Sequence, residues 1–229
     1  MIRDSEKTFD LSEKILCGVS DRRPLPCIPT RLLLQSVLGL YGARLGSLHA
    51  LEMVCGAPFW KRWLGQPIAS ADPVGRVHTL LENEGLRRGL QHVYRRLKRN
   101  KAFGSVGGWD VAVLDGHENH ASYRRQCAGC LERIIHTEGR EQIQDSHRPV
   151  TWMLPSEKFH FLLDVEPQLP GENEVATALR LLQRVLSTYP RAFQLLVADG
   201  LYARAPFLNF LITCGKQVLL VLKDERRDL

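Results

Sequence analysis

Apolar residues recur at helical spacing through the first hundred positions and gather into short unbroken runs thereafter, so the chain reads as a helical segment followed by a sheet. After Pro24, Pro26 and Pro29, the spacing of Leu32, Leu33, Val37 and Leu40 predicts a helix that Thr30 caps and that Gly42 and Gly46 interrupt. A second helix is expected through Leu48, Leu51 and Val54, and APFWKRWLGQP reads as a turn. Asp72 as a cap, with Pro73 in the first turn, then opens a helix whose apolar face is Val74, Val77, Leu80 and Leu81. The next helix holds Leu86, Leu90, Val93 and Leu97 at spacings of four, three and four. The short, glycine-rich GSVGGWD that follows reads as the joint to the second part.

In that second part, Val111, Ala112, Val113 and Leu114 form a run suited to a strand buried on both faces, and Asp115 and a glycine close it. A polar excursion, DGHENHASYRRQCAGCLERIIHTEGREQIQDSHR, comes next. Arg148 to Leu154 and Phe159 to Val165 then read as a hairpin turning at Pro155 and Ser156. A helix with Val175, Leu179, Leu182 and Leu186 on one face follows, capped by Asn173 or Glu172 and stopped near Pro190. Phe193 to Ala198 is the next buried strand and runs into Asp199 and another glycine. Ala205 to Cys214 is the next helix and Gln217 to Leu222 the last strand. A hairpin feeding a helix and then parallel crossovers gives a mixed sheet with helices on its faces. Two aspartates held at strand exits are rigid, and rigid paired carboxylates suit a hard divalent cation.

With 229 residues, 44% of them hydrophobic, the chain can bury one sizeable core and a smaller helical module, which divides it into 1–104 and 105–229. The formal charge of +6 favours a polyanionic partner. Arg87, Arg88, Arg95, Arg96, Lys98, Arg99 and Lys101 cluster on the helix of Leu86 to Leu97 and its end, and no acid lies between Gly85 and Lys101. Such density rewards contact with phosphate backbones, because each contact releases condensed counterions; a solvated helix face is the plainer alternative. The N-terminus is charged, and no apolar run approaches the roughly 20 residues of a membrane span, so export and insertion are not expected. Four of the six cysteines are scattered, which argues for a reducing cytoplasm rather than a disulfide scaffold.

The order strand, strand, strand, helix, strand, helix, strand resembles that of the ribonuclease H-like fold. Within it, VLDGHE, HRPVTWMLP, LPGENEVATALRLLQRVL, LLVADGLYARAPFLNFL and VLLVLKDERRD resemble, in this sequence, the DDE-type transposases of bacterial insertion sequences. The likeness covers about residues 70 to 229, since SADPVGRV and LKRNK are similar to the helical segment before that family's catalytic domain. It implies Mg²⁺ or Mn²⁺ bound by two aspartates and a glutamate, and the cutting and rejoining of DNA at transposon ends. By it Asp115 is the first acid and Asp199 the second, DNA is the partner, a homodimer forms on DNA, and the protein works at the nucleoid. Lys223 would approach a phosphate or remain solvated.

The family's third acid lies in a pattern of tyrosine, two residues, arginine, three residues, glutamate. Of the five tyrosines only Tyr41 has an arginine at that offset, Arg44, and the glutamate position then holds Leu48. Asp224, Glu225 and Asp228 read as surface charges. The expectation is therefore a transposase fragment, incomplete at its C-terminus and unable to complete catalysis alone. Glu172 and Glu174 match the family's GENE segment, where capping explains them, and His117 and Glu118 read as loop residues. Cys127 and Cys130 form a CxxC near His117, His120, His136 and His147 and offer part of a tetrahedral zinc site, with unmetallated thiols as the alternative. Trp60, Trp63, Trp109 and Trp152 are expected to fill the core or a domain interface. A non-catalytic, zinc-stabilised DNA-binding protein and a nuclease acting on other nucleic acids are the competing classes.

Overall fold

The computed structural model describes residues 7–10, 14–124, 126–137 and 139–221, so Lys223, Asp224, Glu225 and Asp228 lie outside the described residues. The chain divides into two compact units, Met1–Leu97 and Lys98–Leu229.

The first unit is helical, with α1 (Thr30–Gly42), α2 (Leu48–Val54), α3 (Pro58–Leu64), α4 (Ala71–His78) and α5 (Asn83–Arg99), whose last turn enters the second unit. The expected turn at APFWKRWLGQP is α3: Pro58 opens it, Gly65 ends it in the left-handed conformation, and Trp60 faces inward at 3% exposure. Trp60 anchors a core of Leu33, Leu40, Leu51, Ile68, Val74 and Val77. It lies so close to α1 that a Cβ on Gly39 would sit 2.5 Å from its ring, so a glycine is required there.

Two expected caps are placed differently. Pro29 precedes α1, and Thr30, its first residue, turns its hydroxyl onto Asp21 at 2.6 Å. Ser70 precedes α4, leaving Asp72 inside the first turn, paired with Arg76 at 2.5 Å. Asp21 also takes a two-pronged contact from Arg23 at 2.8 and 2.7 Å. The Arg23 hydrogen bonds hold its carboxyl well below the usual range, with Thr30 assisting against the cost of burial. A depressed carboxylate lends stability above its unfolded pKa of about 3.9 and loses it as the pH falls toward its folded value. The helical unit should therefore lose stability progressively as the pH falls below about 4. Asp21→Asn should cost about 1.5–3 kcal/mol at neutral pH and flatten that loss, as read by chemical denaturation along a pH series.

The second unit is built on a mixed five-stranded sheet, β6 (His160–Pro167), β5 (Pro149–Pro155), β1 (Val111–Gly116), β7 (Leu195–Asp199) and β8 (Gln217–Val221), hydrogen-bonded in that order. β1 pairs antiparallel with β5 and parallel with β7, and β7 is parallel with β8. With α6 (Glu174–Thr188) and α7 (Ala205–Thr213) flanking it, this is the ribonuclease H-like arrangement expected from the sequence. Ala112, Leu114, Leu196 and Trp152 are buried, as are Leu181, Leu182 and Val185 of α6. The polar excursion is a second sheet, with β2 (His120–Ser122), β3 (Leu131–Thr137) and β4 (Arg140–His147) ordered β2-β4-β3.

α6 is fixed by ions as well as by packing. Arg180 holds Glu166 at 2.9 Å and also Glu172, and Arg184 holds Asp164 at 2.7 Å and also Glu166. Asn173 provides the cap of α6, accepting from the Ala176 amide at 2.9 Å. Glu172, the other expected cap, instead accepts from the Leu169 amide and the Thr177 hydroxyl and pairs with Arg180. Together these fix where α6 begins.

Candidate functional site

Asp115 and Asp199 are set side by side by strand register. Val111, Ala112 and Val113 of β1 face Leu195, Leu196 and Val197 of β7, and each aspartate stands two residues beyond the last of these pairs. Side chains two apart on a strand share a face, so both carboxylates emerge on the side opposite buried Ala112, Leu114, Leu196 and Ala198. The strands are parallel, so both aspartates lie at carboxyl ends, where open α/β sheets bind ligands. Asp115 is exposed. Asp199 is half-buried and accepts the Leu201 amide at 2.9 Å, which turns the chain into a single helical turn carrying Tyr202.

A third carboxylate comes from α6. Glu174, in the first turn of that helix, accepts a hydrogen bond from the Tyr202 hydroxyl at 2.6 Å. It also lies over the backbone of Gly116, where an added Cβ would fall 2.3 Å from its carboxyl carbon. Glycine after Asp115 is thus what admits Glu174. Tyr202 is fully buried, and burial, the Glu174 bond and the charges of Glu174, Asp199 and Asp115 push its ionisation far above the usual range. It stays a neutral donor, and three acids act on one phenol.

The residues fit a hard cation of the Mg²⁺ type. Carboxylate oxygens are its preferred donors, and such ions keep several waters and phosphate oxygens instead of filling an all-protein cage. Asp115 is exposed and Asp199 and Glu174 are half-buried, and the ligand atoms of the three acids do not all lie within 4.8 Å of one another. Sequence reasoning accounted for Glu174 by capping and did not place it beside Tyr202 and Gly116. Its partner Tyr202, three residues past Asp199, meets it only once β7 and α6 are placed.

The remaining candidates are distributed as follows. Glu118 pairs with Arg133 at 2.9 Å, and His117 is exposed. Cys127, Cys130 and His147 come together, whereas His136 lies at the ribbon's far end, 3.3 Å from Glu141. On α5, Arg87 pairs with Glu84, Arg88 donates to the Gly18 carbonyl, and Arg96 donates to the Thr8 carbonyl. Lys98 donates to the Arg191 carbonyl. Arg95, Arg99 and Lys101 are exposed, and Arg88, Arg95 and Arg99 recur at seven and four residues, along one side of the helix. Trp60 and Trp152 are core residues, while Trp109 is 43% exposed. No helix among the described residues is long and apolar enough to cross a membrane.

Neither the models of known protein families nor the curated proteins match this chain. Among solved structures, the chain is similar to piggyBac transposase as seen by cryo-EM in a synaptic complex with hairpin DNA, at 11% identity and a TM-score of 0.42. The likeness covers 97% of this chain and 51% of that one, so this chain spans about half the length of that protein.

Proposed function

We propose that this chain carries the catalytic acids of a DDE-type transposase and acts in the metal-dependent cutting and joining of DNA. The observation that supports this best is the convergence of Asp115, Asp199 and Glu174 around Tyr202, from three elements remote in sequence. The divalent ion would be held by Asp115 and Asp199 and would stabilise charge on the attacking and leaving oxygens of an in-line phosphodiester displacement. Tyr202 fixes the orientation of Glu174, and Glu174 in turn holds the negative field over the end of β1. In the reaction a water or a DNA 3′-hydroxyl would form the new P–O bond as the bond to the leaving 3′-oxygen breaks, the attacking oxygen releasing its proton to solvent and the leaving oxygen taking one up from it. Arg95, Arg99 and Lys101 would supply sequence-independent phosphate contacts.

Titration of this chain with Mn²⁺, followed by loss of the free-ion EPR signal, tests the reading. Saturable binding that Mg²⁺ displaces is expected. The Gly116→Ala variant should bind on the order of tenfold more weakly with its fold retained, because the methyl displaces only the flexible end of Glu174. Absence of saturable binding in the millimolar range, or equal affinity in the variant, would count against the three-acid site.

A further inference from the structure

Cys127 and Cys130 flank a tight turn between β2 and β3, in which the Cys130 amide donates to the Cys127 carbonyl at 3.1 Å and the Cys127 amide reaches the Cys130 sulfur at 3.2 Å. His147 closes β4, and its Nε2 stands 3.5 Å from the Cys127 sulfur and 3.4 Å from that of Cys130. The two sulfurs are 3.6 Å apart. We propose that Cys127, Cys130 and His147 bind one zinc ion that fastens the β2–β3 connection to the end of β4.

The spacings are those of three corners of a zinc tetrahedron. Zn–S bonds of about 2.3 Å and Zn–N bonds of about 2.0–2.1 Å put two sulfurs roughly 3.8 Å apart and a sulfur and a nitrogen roughly 3.5 Å apart. Two thiolates and an imidazole select zinc over magnesium or calcium, which prefer oxygen. Among the described residues, no fourth ligand atom joins the three.

An independent observation concerns Asp145. It lies two residues before His147 on β4, is only 8% exposed, and its Oδ1 has no hydrogen-bond partner among the described residues. A buried carboxylate oxygen without a partner is costly, and a dication held nearby offsets that cost. Asp145 then serves as an outer-shell counter-charge of the kind that orients ligands and tunes metal sites.

The small sheet also has reason to need a fastening. β2 is three residues long, and the facing pair Ile134 and Ile143 is 59% and 60% exposed, so little apolar surface holds β2, β3 and β4 together. Small units with too little core are commonly completed by a structural metal. The zinc does not depend on the acids at Asp115 and Asp199, and either can fail without the other.

The full chain, purified under reducing conditions without chelator, should carry about one zinc by elemental analysis. Cys127→Ser and His147→Ala should each lower this below about 0.1, while Cys17→Ser and Cys214→Ser leave it unchanged. Because the ligand variants can lose structure, the unaltered chain is also exchanged with Co²⁺. A thiolate-to-cobalt charge-transfer band with intense tetrahedral d–d bands supports the site. Zinc below about 0.1 per chain together with no thiolate band overturns the proposal, as does full zinc content in Cys127→Ser.

Discussion

Asp115→Asn should weaken Mn²⁺ binding by at least about 100-fold while leaving thermal stability unchanged or slightly higher. The same is expected of Asp199→Asn, whose amide oxygen can still accept the Leu201 amide and so preserve the turn after β7. The opposite signs follow from the geometry. Asp115 is exposed, and Asp199 and Glu174 crowd the same strand ends, so removing one negative charge relieves repulsion in the metal-free chain. The same removal takes an oxygen ligand from a site that has few. On the proposed reading, DNA strand cutting and joining should fall on the order of 100-fold or more in either variant. Free-ion EPR, calorimetric melting and a DNA strand-transfer assay separate the effects. Unchanged Mn²⁺ affinity in both variants would remove the basis of the metal-dependent reading.

The largest stability effect is expected at Arg184. Its guanidinium lies between Asp164, 5% exposed, and Glu166, 9% exposed, on β6. Arg184→Ala leaves those carboxylates with less compensation in a site water scarcely reaches, and breaking a buried pair from one side costs about 3–5 kcal/mol. For a unit of this size that corresponds to a midpoint lowered by roughly 10–20 °C. Replacing both partners, as in Arg184→Leu with Asp164→Leu, should recover most of the loss, because an apolar pair carries no uncompensated charge. Since the same network fixes the start of α6, Arg184→Ala should also loosen Glu174, and Mn²⁺ affinity should fall even well below the melting temperature. A midpoint within about 3 °C of the unaltered protein would show that solvent relieves these charges.

Much of the second unit is legible in the sequence for a physical reason. Its five principal strands are largely apolar runs bounded by turn residues, and α6 is a long amphipathic stretch between Asn173 and Pro190, so local patterning and tertiary structure agree. The ribbon of β3 and β4 is not legible, because most of its residues are exposed and no alternation distinguishes its strands from a loop. α3 escaped because seven residues between Ala57 and Gly65 carry too short a period to separate helix from turn.

The sequence by itself determines that Asp115 and Asp199 end buried runs, that Cys127 and Cys130 lie one turn apart, and that α5 is densely basic. These are properties of neighbouring residues, and composition and periodicity record them. Only the tertiary structure brings Glu174 and Tyr202 to the two aspartates and selects His147 from four histidines. It also turns Arg87, Arg96 and Lys98 onto partners within the chain. Those outcomes depend on which strands pair, in what register, and on where a helix begins in space, and separation along the chain carries none of that information.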